Sequence, residues 1–117
     1  LYGQCTWFAW GRFYELYGYD PGFSGDGSSC VKELVAAHPN KFERSSSPKA
    51  GAVFSAIGHN HVGIVIAVKD NTITVQEGNL DGITNTFQDA KKDWQTKSYT
   101  LDQLRSIYGG VVFANPK

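Results

Sequence analysis

Apolar residues crowd the first seventeen positions, and those at 6/7, 10, 13/14 and 17 recur at helical spacing. The pattern predicts a buried helix from about Cys5 to Leu16, entered through Gly3 and stopped at Gly18. Residues 18–29 contain four glycines and a proline and predict a loop. Ser28 or Ser29 is placed to cap a second helix from about Cys30 to Ala37, with Val31, Leu34 and Val35 as its apolar face and Cys30 in the core. The polar stretch from Pro39 to Pro48 predicts a connector.

The period then changes. Residues 50–55 predict a strand, and the run from His61 to Val68, the most apolar in the chain, predicts a central strand buried on both faces. A short turn at Lys69-Asp70-Asn71 leads into residues 72–79, where clear alternation sets Ile73, Val75, Glu77 and Asn79 on one face. Beyond Leu80 the pattern weakens. It is compatible with strands at 83–87 and 95–99 around a charged connector or helical turn at 89–93, then a short helix from Leu101 to Ile107 and a last strand at 110–113. Helices first and strands afterwards predict an α+β fold, N-terminal helices packed on a mostly antiparallel sheet.

A length of 117 residues suits one domain with one core, so functional groups are expected to converge on a single site. Seven Phe, six Tyr and three Trp supply a packed interior. Eleven basic residues balance eleven acidic ones, which gives no reason to expect nucleic acid or a membrane surface as partner. No apolar run is long enough to span a bilayer. A start at Leu1, with a cysteine almost at the terminus, leads us to expect a domain from a longer modular protein, with any export signal or wall-binding module elsewhere.

Cys5, in the first turn of the first helix, is the residue with the most chemistry to explain. Unpaired N–H groups and the helix dipole stabilise a thiolate there, although a cysteine in such a place can equally be a small buried hydrophobe. A nucleophilic thiol needs a base, and the base needs an orienting acceptor. His38 lies in a polar connector and His59 in a turn, whereas His61 opens the buried strand and is the best-placed base. Gly63, two residues along, leaves room for a helix to pack closely. Glu77 interrupts an apolar face, where a carboxylate is costly unless paired, and the hairpin brings both Glu77 and Asn79 within reach of His61. Gln4, beside Cys5, can donate an amide N–H to a developing oxyanion. Asp20 and Asp26 lack the spacing of a calcium loop, and His59-Asn60-His61 matches no zinc pattern.

Four stretches in order, Gly3-Gln4-Cys5-Thr6-Trp7, Pro48-Lys49-Ala50-Gly51-Ala52-Val53, His61-Val62-Gly63-Ile64-Val65 and Glu77-Gly78-Asn79, resemble the CHAP domain, the cysteine, histidine-dependent amidohydrolase/peptidase. The resemblance implies a papain-like fold and hydrolysis of bacterial cell-wall peptidoglycan, as by phage endolysins and wall hydrolases. It further implies Cys5 as nucleophile, His61 as general base and acid, Glu77 as orienting carboxylate, Asn79 as a fourth polar member and Gln4 in the oxyanion hole. No metal or other cofactor is expected, and the domain is expected to be monomeric. The bond would be a D-alanyl cross-bridge peptide or the N-acetylmuramoyl-L-alanine amide. Tyr2, Trp7, Phe54 and Trp94 are further expected to line a substrate groove. The contrasting expectation is a secreted wall-binding module in which Cys5 and Cys30 form a disulfide.

Overall fold

A computed structural model gives the architecture. It describes residues 4–23, 26–58, 61–77 and 95–117 and, within the first helix, the side chains of Thr6 and of residue 8 onward. Helix α1 spans Gln4–Tyr17, and α2 spans Cys30–Ala37 after a 3-10 turn at Gly27–Ser29. The strands are β1 (Phe42–Ser45), β2 (Val53–Ala56), β3 (His61–Lys69), β4 (Thr72–Glu77), β5 (Gln95–Tyr99) and β6 (Val111–Pro116), with α3 (Leu101–Tyr108) between the last two. They form one antiparallel sheet in the order β1-β6-β2-β3-β4-β5.

The period-two alternation divides the sheet into two apolar faces. Val53, Val62, Ile64 and Ala114 face α1 and α2, where Ala9, Phe13, Cys30, Val31 and Leu34 meet them. Phe54, Val65, Ile73, Val75 and Phe113 face the other way and are covered by Leu101, Leu104 and Tyr108 of α3. The expected α+β class holds, and the sheet is antiparallel throughout the described residues.

Helix α1 lies across β3 and β4, and its direction can be followed from its side-chain anchors. Near its C-terminus the Tyr17 hydroxyl donates to the Gly51 carbonyl at 2.6 Å, and the Gly51 amide donates to Val65. Midway, Arg12 Nε donates to Gln76 Oε1 at 2.9 Å, and Gln76 is the register partner of Ile64. Gly51 lies beyond the Val53 end of β2, whereas the opposite end, Ala56, pairs with His61. The N-terminus of α1 is therefore delivered to the His61 end of the sheet. Seven helical residues from Arg12 back to Cys5 cover about 10 Å, close to the roughly 10 Å that three strand residues span from Ile64 to His61.

Several expectations are corrected by the structure. The connector from Pro39 to Pro48 contains β1, which pairs with β6 and buries Phe42. Its single inward apolar residue left too little alternation to reveal a strand. Ser29 stands at the start of α2 but makes no capping bond. The buried Ser55 hydroxyl on β2 instead accepts from the Val31 N–H at 3.0 Å, so the sheet caps the helix. β3 is buried on both faces only from Val62 to Val65, and its last three residues are exposed. Room at Gly63 is taken by a ring, since a Cβ there would lie 2.5 Å from Phe54. The possible strand at 83–87 and the segment at 89–93 lie outside the described residues.

The β3–β4 hairpin turns through Asp70 and Asn71, with Asp70 in the left-handed region at φ 55° that Asp tolerates. Its ladder runs Lys69–Thr72, Val68–Ile73, Ala67–Thr74 and then Val65–Val75, leaving Ile66 as a bulge. A regular hairpin would set His61 and Glu77 on opposite faces. The extra residue reverses the parity of the first half of β3, and His61 joins Glu77, Val75 and Ile73 on the α3 side.

Replacing Ser55 by Ala leaves a buried amide of α2 without its acceptor and should lower stability by about 1–3 kcal/mol. Ser29→Ala should change it by less than about 0.5 kcal/mol. Urea unfolding of both variants checks the pair, and equal effects would show that the sheet does not cap α2.

Candidate active site

Glu77 ends β4 and is 2% exposed. A carboxylate so deeply buried needs donors, and among the described residues it has three. His61 Nε2 lies 2.9 Å from Oε1, the Tyr108 hydroxyl donates to the same oxygen, and the Tyr99 hydroxyl lies 3.3 Å from Oε2. An ionised carboxylate can only accept, so Nε2 carries the proton and the basic lone pair of a neutral ring belongs to Nδ1.

Burial alone would raise the carboxylate pKa. Hydrogen bonds from His61, Tyr108 and Tyr99, together with the attraction of a charged His61, outweigh it and hold Glu77 below its ordinary value of 4.5. Tyr108 moves the other way, its hydroxyl pushed far above the ordinary range first by burial and then by the adjacent carboxylate. Tyr99 is raised for the same reasons. Both phenols therefore remain donors at any working pH.

The imidazole is positioned from several sides. Its ring stacks on Tyr108, with centroids 4.9 Å apart and planes 20° from parallel, and Phe54 lies 6.0 Å away. A Cβ on Gly27 would come within 2.6–2.8 Å of the His61 backbone, so only glycine permits this 3-10 turn to rest against the start of β3. Tyr108 is fixed by the end of its helix. Thr100 and Gln103 form a capping box at one end, and Gly109 at φ 68° closes the other. The Gly58 amide then donates to the Tyr108 carbonyl at 3.1 Å, tying α3 to the turn that leads toward His61.

Of the residues anticipated from the sequence, the structure brings together His61 and Glu77, with the ring 18% exposed and its carboxylate partner 3%. Cys5 is the second residue of α1, at the end of the sheet where His61 lies. The side chains of Gln4, Cys5 and Trp7, and all of Tyr2, Asn79 and Trp94, lie outside the described residues. Phe54 was expected to line a groove and is instead 0% exposed, filling the space above Gly63 and supporting the imidazole. Cys30 is a buried thiol that donates to the Asp26 carbonyl at 3.4 Å, which does not support a Cys5–Cys30 disulfide. His38 bonds the Asp20 carbonyl at 2.7 Å through Nε2, and Asp20 itself accepts from the Gly22 amide.

Tyr99, Tyr108 and Gly27 escaped the sequence reading. A signal existed for Tyr108, which follows Leu101 and Leu104 on one stripe of α3, but the helix was expected to end one residue earlier. Tyr99 pairs with Ile73 and so shares the face of Glu77, a relation visible only once β5 is in register. Nothing local marked Gly27, since its neighbour is distant in sequence.

The family model of the CHAP domain matches residues 1–79. Among solved structures, the chain is similar to the crystal structure of Ly7917, with a TM-score of 0.55 and 19% identity over 78% of this chain and 37% of that one. A second structure, Ly7917 with the hydrolyzing product of MDP, gives a TM-score of 0.54 and 20% identity over 80% of this chain and 38% of that one. The chain thus spans well under half of that protein's length. No curated protein sequence matches it.

Because Glu77 is held below 4.5, its contribution to stability is present above that pH and is lost as pH falls through the lower folded value. The stability gap between the parent and Glu77→Gln should therefore narrow on acidification below about 4.5, the ordinary value for this carboxylate. Urea unfolding across that window measures it. A gap that stays constant would mean that the carboxylate is not preferentially stabilised in its charged form.

Proposed function

The chain belongs to the CHAP domain family, and from that premise we propose that it hydrolyses an amide bond in the peptide part of bacterial peptidoglycan through a cysteine thiolate. The observation that carries this reading is the His61–Glu77 pair at the end of the sheet to which α1 brings its N-terminus. Ly7917, similar in fold, has been solved with the hydrolyzing product of MDP, which agrees with a wall-derived substrate class.

In the proposed cycle the first-turn N–H groups of α1 and the His61 imidazolium stabilise the Cys5 thiolate. Sulfur attacks the amide carbon, and the carbonyl electrons move onto oxygen, where the Cys5 N–H and the Gln4 amide receive the charge. As the tetrahedral species collapses, the C–N bond breaks and His61 Nδ1 gives its proton to the leaving amine. The neutral ring then takes a proton from water, whose oxygen attacks the thioester and displaces the thiolate. Glu77 orients the ring through Nε2 and stabilises its charged form, and Asn79 adds a further polar contact. Tyr2, Trp7 and Trp94 are proposed to contact the substrate. The whole cycle needs no metal or organic cofactor, and it acts at the cell wall.

Cys5→Ala and His61→Ala should each abolish release of new termini from purified walls, a loss of at least about 1,000-fold, while far-UV circular dichroism stays unchanged. Mass spectrometry of the released fragments identifies the bond, with a new L-alanine amino terminus indicating an amidase and a D-alanyl carboxyl terminus an endopeptidase. Lysis retained by either variant would contradict the assignment.

A further inference from the structure

Tyr108 makes two different contacts with the His61–Glu77 pair. Its ring lies nearly parallel to the imidazole, and its hydroxyl donates to the oxygen that faces His61 Nε2. The ring contact fixes the imidazole plane. The hydroxyl contact has an electronic effect, because each hydrogen bond donated to Oε1 withdraws negative charge from the oxygen that would otherwise stabilise an imidazolium.

We propose that Tyr108 is a positioning residue, holding the His61 ring in the plane that Glu77 requires and moderating how tightly that carboxylate retains a proton on the ring. The inference rests on the proposed cysteine hydrolase, in which His61 must gain and release a proton in every cycle. A carboxylate bonded only to His61 would hold the imidazolium too firmly to protonate a leaving amine readily. By sharing Oε1, Tyr108 keeps the ring oriented and its proton transferable. Tyr99 takes the other oxygen, and its hydroxyl also interacts with that of Tyr108.

The surroundings leave few competing groups among the described residues. β5 contributes Tyr99 and, opposite Val75 on the same face, the exposed Lys97. β2 contributes the uncharged Phe54, and β4 only Glu77 itself on this face. The 3-10 turn meets the His61 backbone through Gly27, with the exposed Asp26 preceding it. On α3 the exposed Asp102 and Arg105 are the charged residues, and Arg105 is engaged with the Ser46 carbonyl. On α1 the charged residues described are Arg12, which bonds Gln76 and Glu15, and Glu15 itself.

The test is the NMR titration of the His61 imidazole in the full chain, with the resonance assigned by its loss in His61→Ala. Tyr108→Phe keeps the stacked ring and removes the hydroxyl, so the titration should move upward by about one pH unit, a tenfold change in the protonation constant. Replacing Tyr108 alone with 3-fluorotyrosine, a more acidic phenol and stronger donor, should move it downward. The kcat/KM profile on purified walls should follow the same displacements, with the loss in Tyr108→Phe falling on kcat and not on KM. Titrations that coincide with the parent in both variants would overturn the proposal, even if walls are cleaved. Opposite displacements without wall cleavage would uphold the coupling and count against the hydrolase reading.

Discussion

A carboxylate 2% exposed beside the apolar Ile73 and Val75 of its own strand is a liability unless donors meet it, and Glu77 is met by groups from β3, β5 and α3. An unpaired charge at that depth would cost several kcal/mol, so an arrangement in which these three elements bring their donors to it is strongly favoured. That arrangement also fixes a face of His61. The demand of one buried group for partners thus orders the chemistry, and the rest of the fold supplies those partners at the correct height. Gly109 ends α3 just after Tyr108, the capping box at Thr100 starts it, and the Gly58 amide binds its last carbonyl.

The opposite side of the sheet solves a different problem, which is where α1 begins. Tyr17 holds its C-terminus to Gly51, Arg12 holds its middle to Gln76, and Phe13 packs among Tyr17, Tyr19, Phe23 and Phe42. These contacts set both the direction and the rotation of the helix. Its N-terminus, with the dipole and unpaired amides that favour a thiolate, reaches the end of the sheet where β3 begins. In the proposed mechanism this axial fit brings the nucleophile and its base together, although they belong to different layers.

Helix boundaries were legible because they depend on local rules. Gly18 and Thr100 act within a turn of themselves and α2 begins at the residue expected, whereas α3 runs one residue past its expected end, to Tyr108. The pairing of His61 with Glu77 was legible too, but on an incomplete argument. Alternation and a two-residue turn brought the residues near one another, yet a regular ladder would have separated them by face, and the bulge at Ile66 restores the match. Ile66 sits inside an unbroken apolar run, with no Gly or charge to mark the irregularity. β1, Ser55, Gly27 and Tyr99 stayed hidden for one reason. Each gains its role from a partner far along the chain, and a single sequence does not carry that register. Phe54 was misjudged because an aromatic residue looks the same in a core as in a groove.

The proposed chemistry depends most on Cys5 and His61 working as a pair. The direct measurement is the pH dependence of iodoacetamide alkylation at Cys5 in the native chain, with the modified residue mapped by mass spectrometry, alongside His61→Ala. We expect Cys5 to react at pH values well below the ordinary thiol pKa of about 8.5, and His61→Ala to return its reactivity to that range while Cys30 stays protected in the core. Identical profiles in the two proteins, rising only near the ordinary value, would contradict the account.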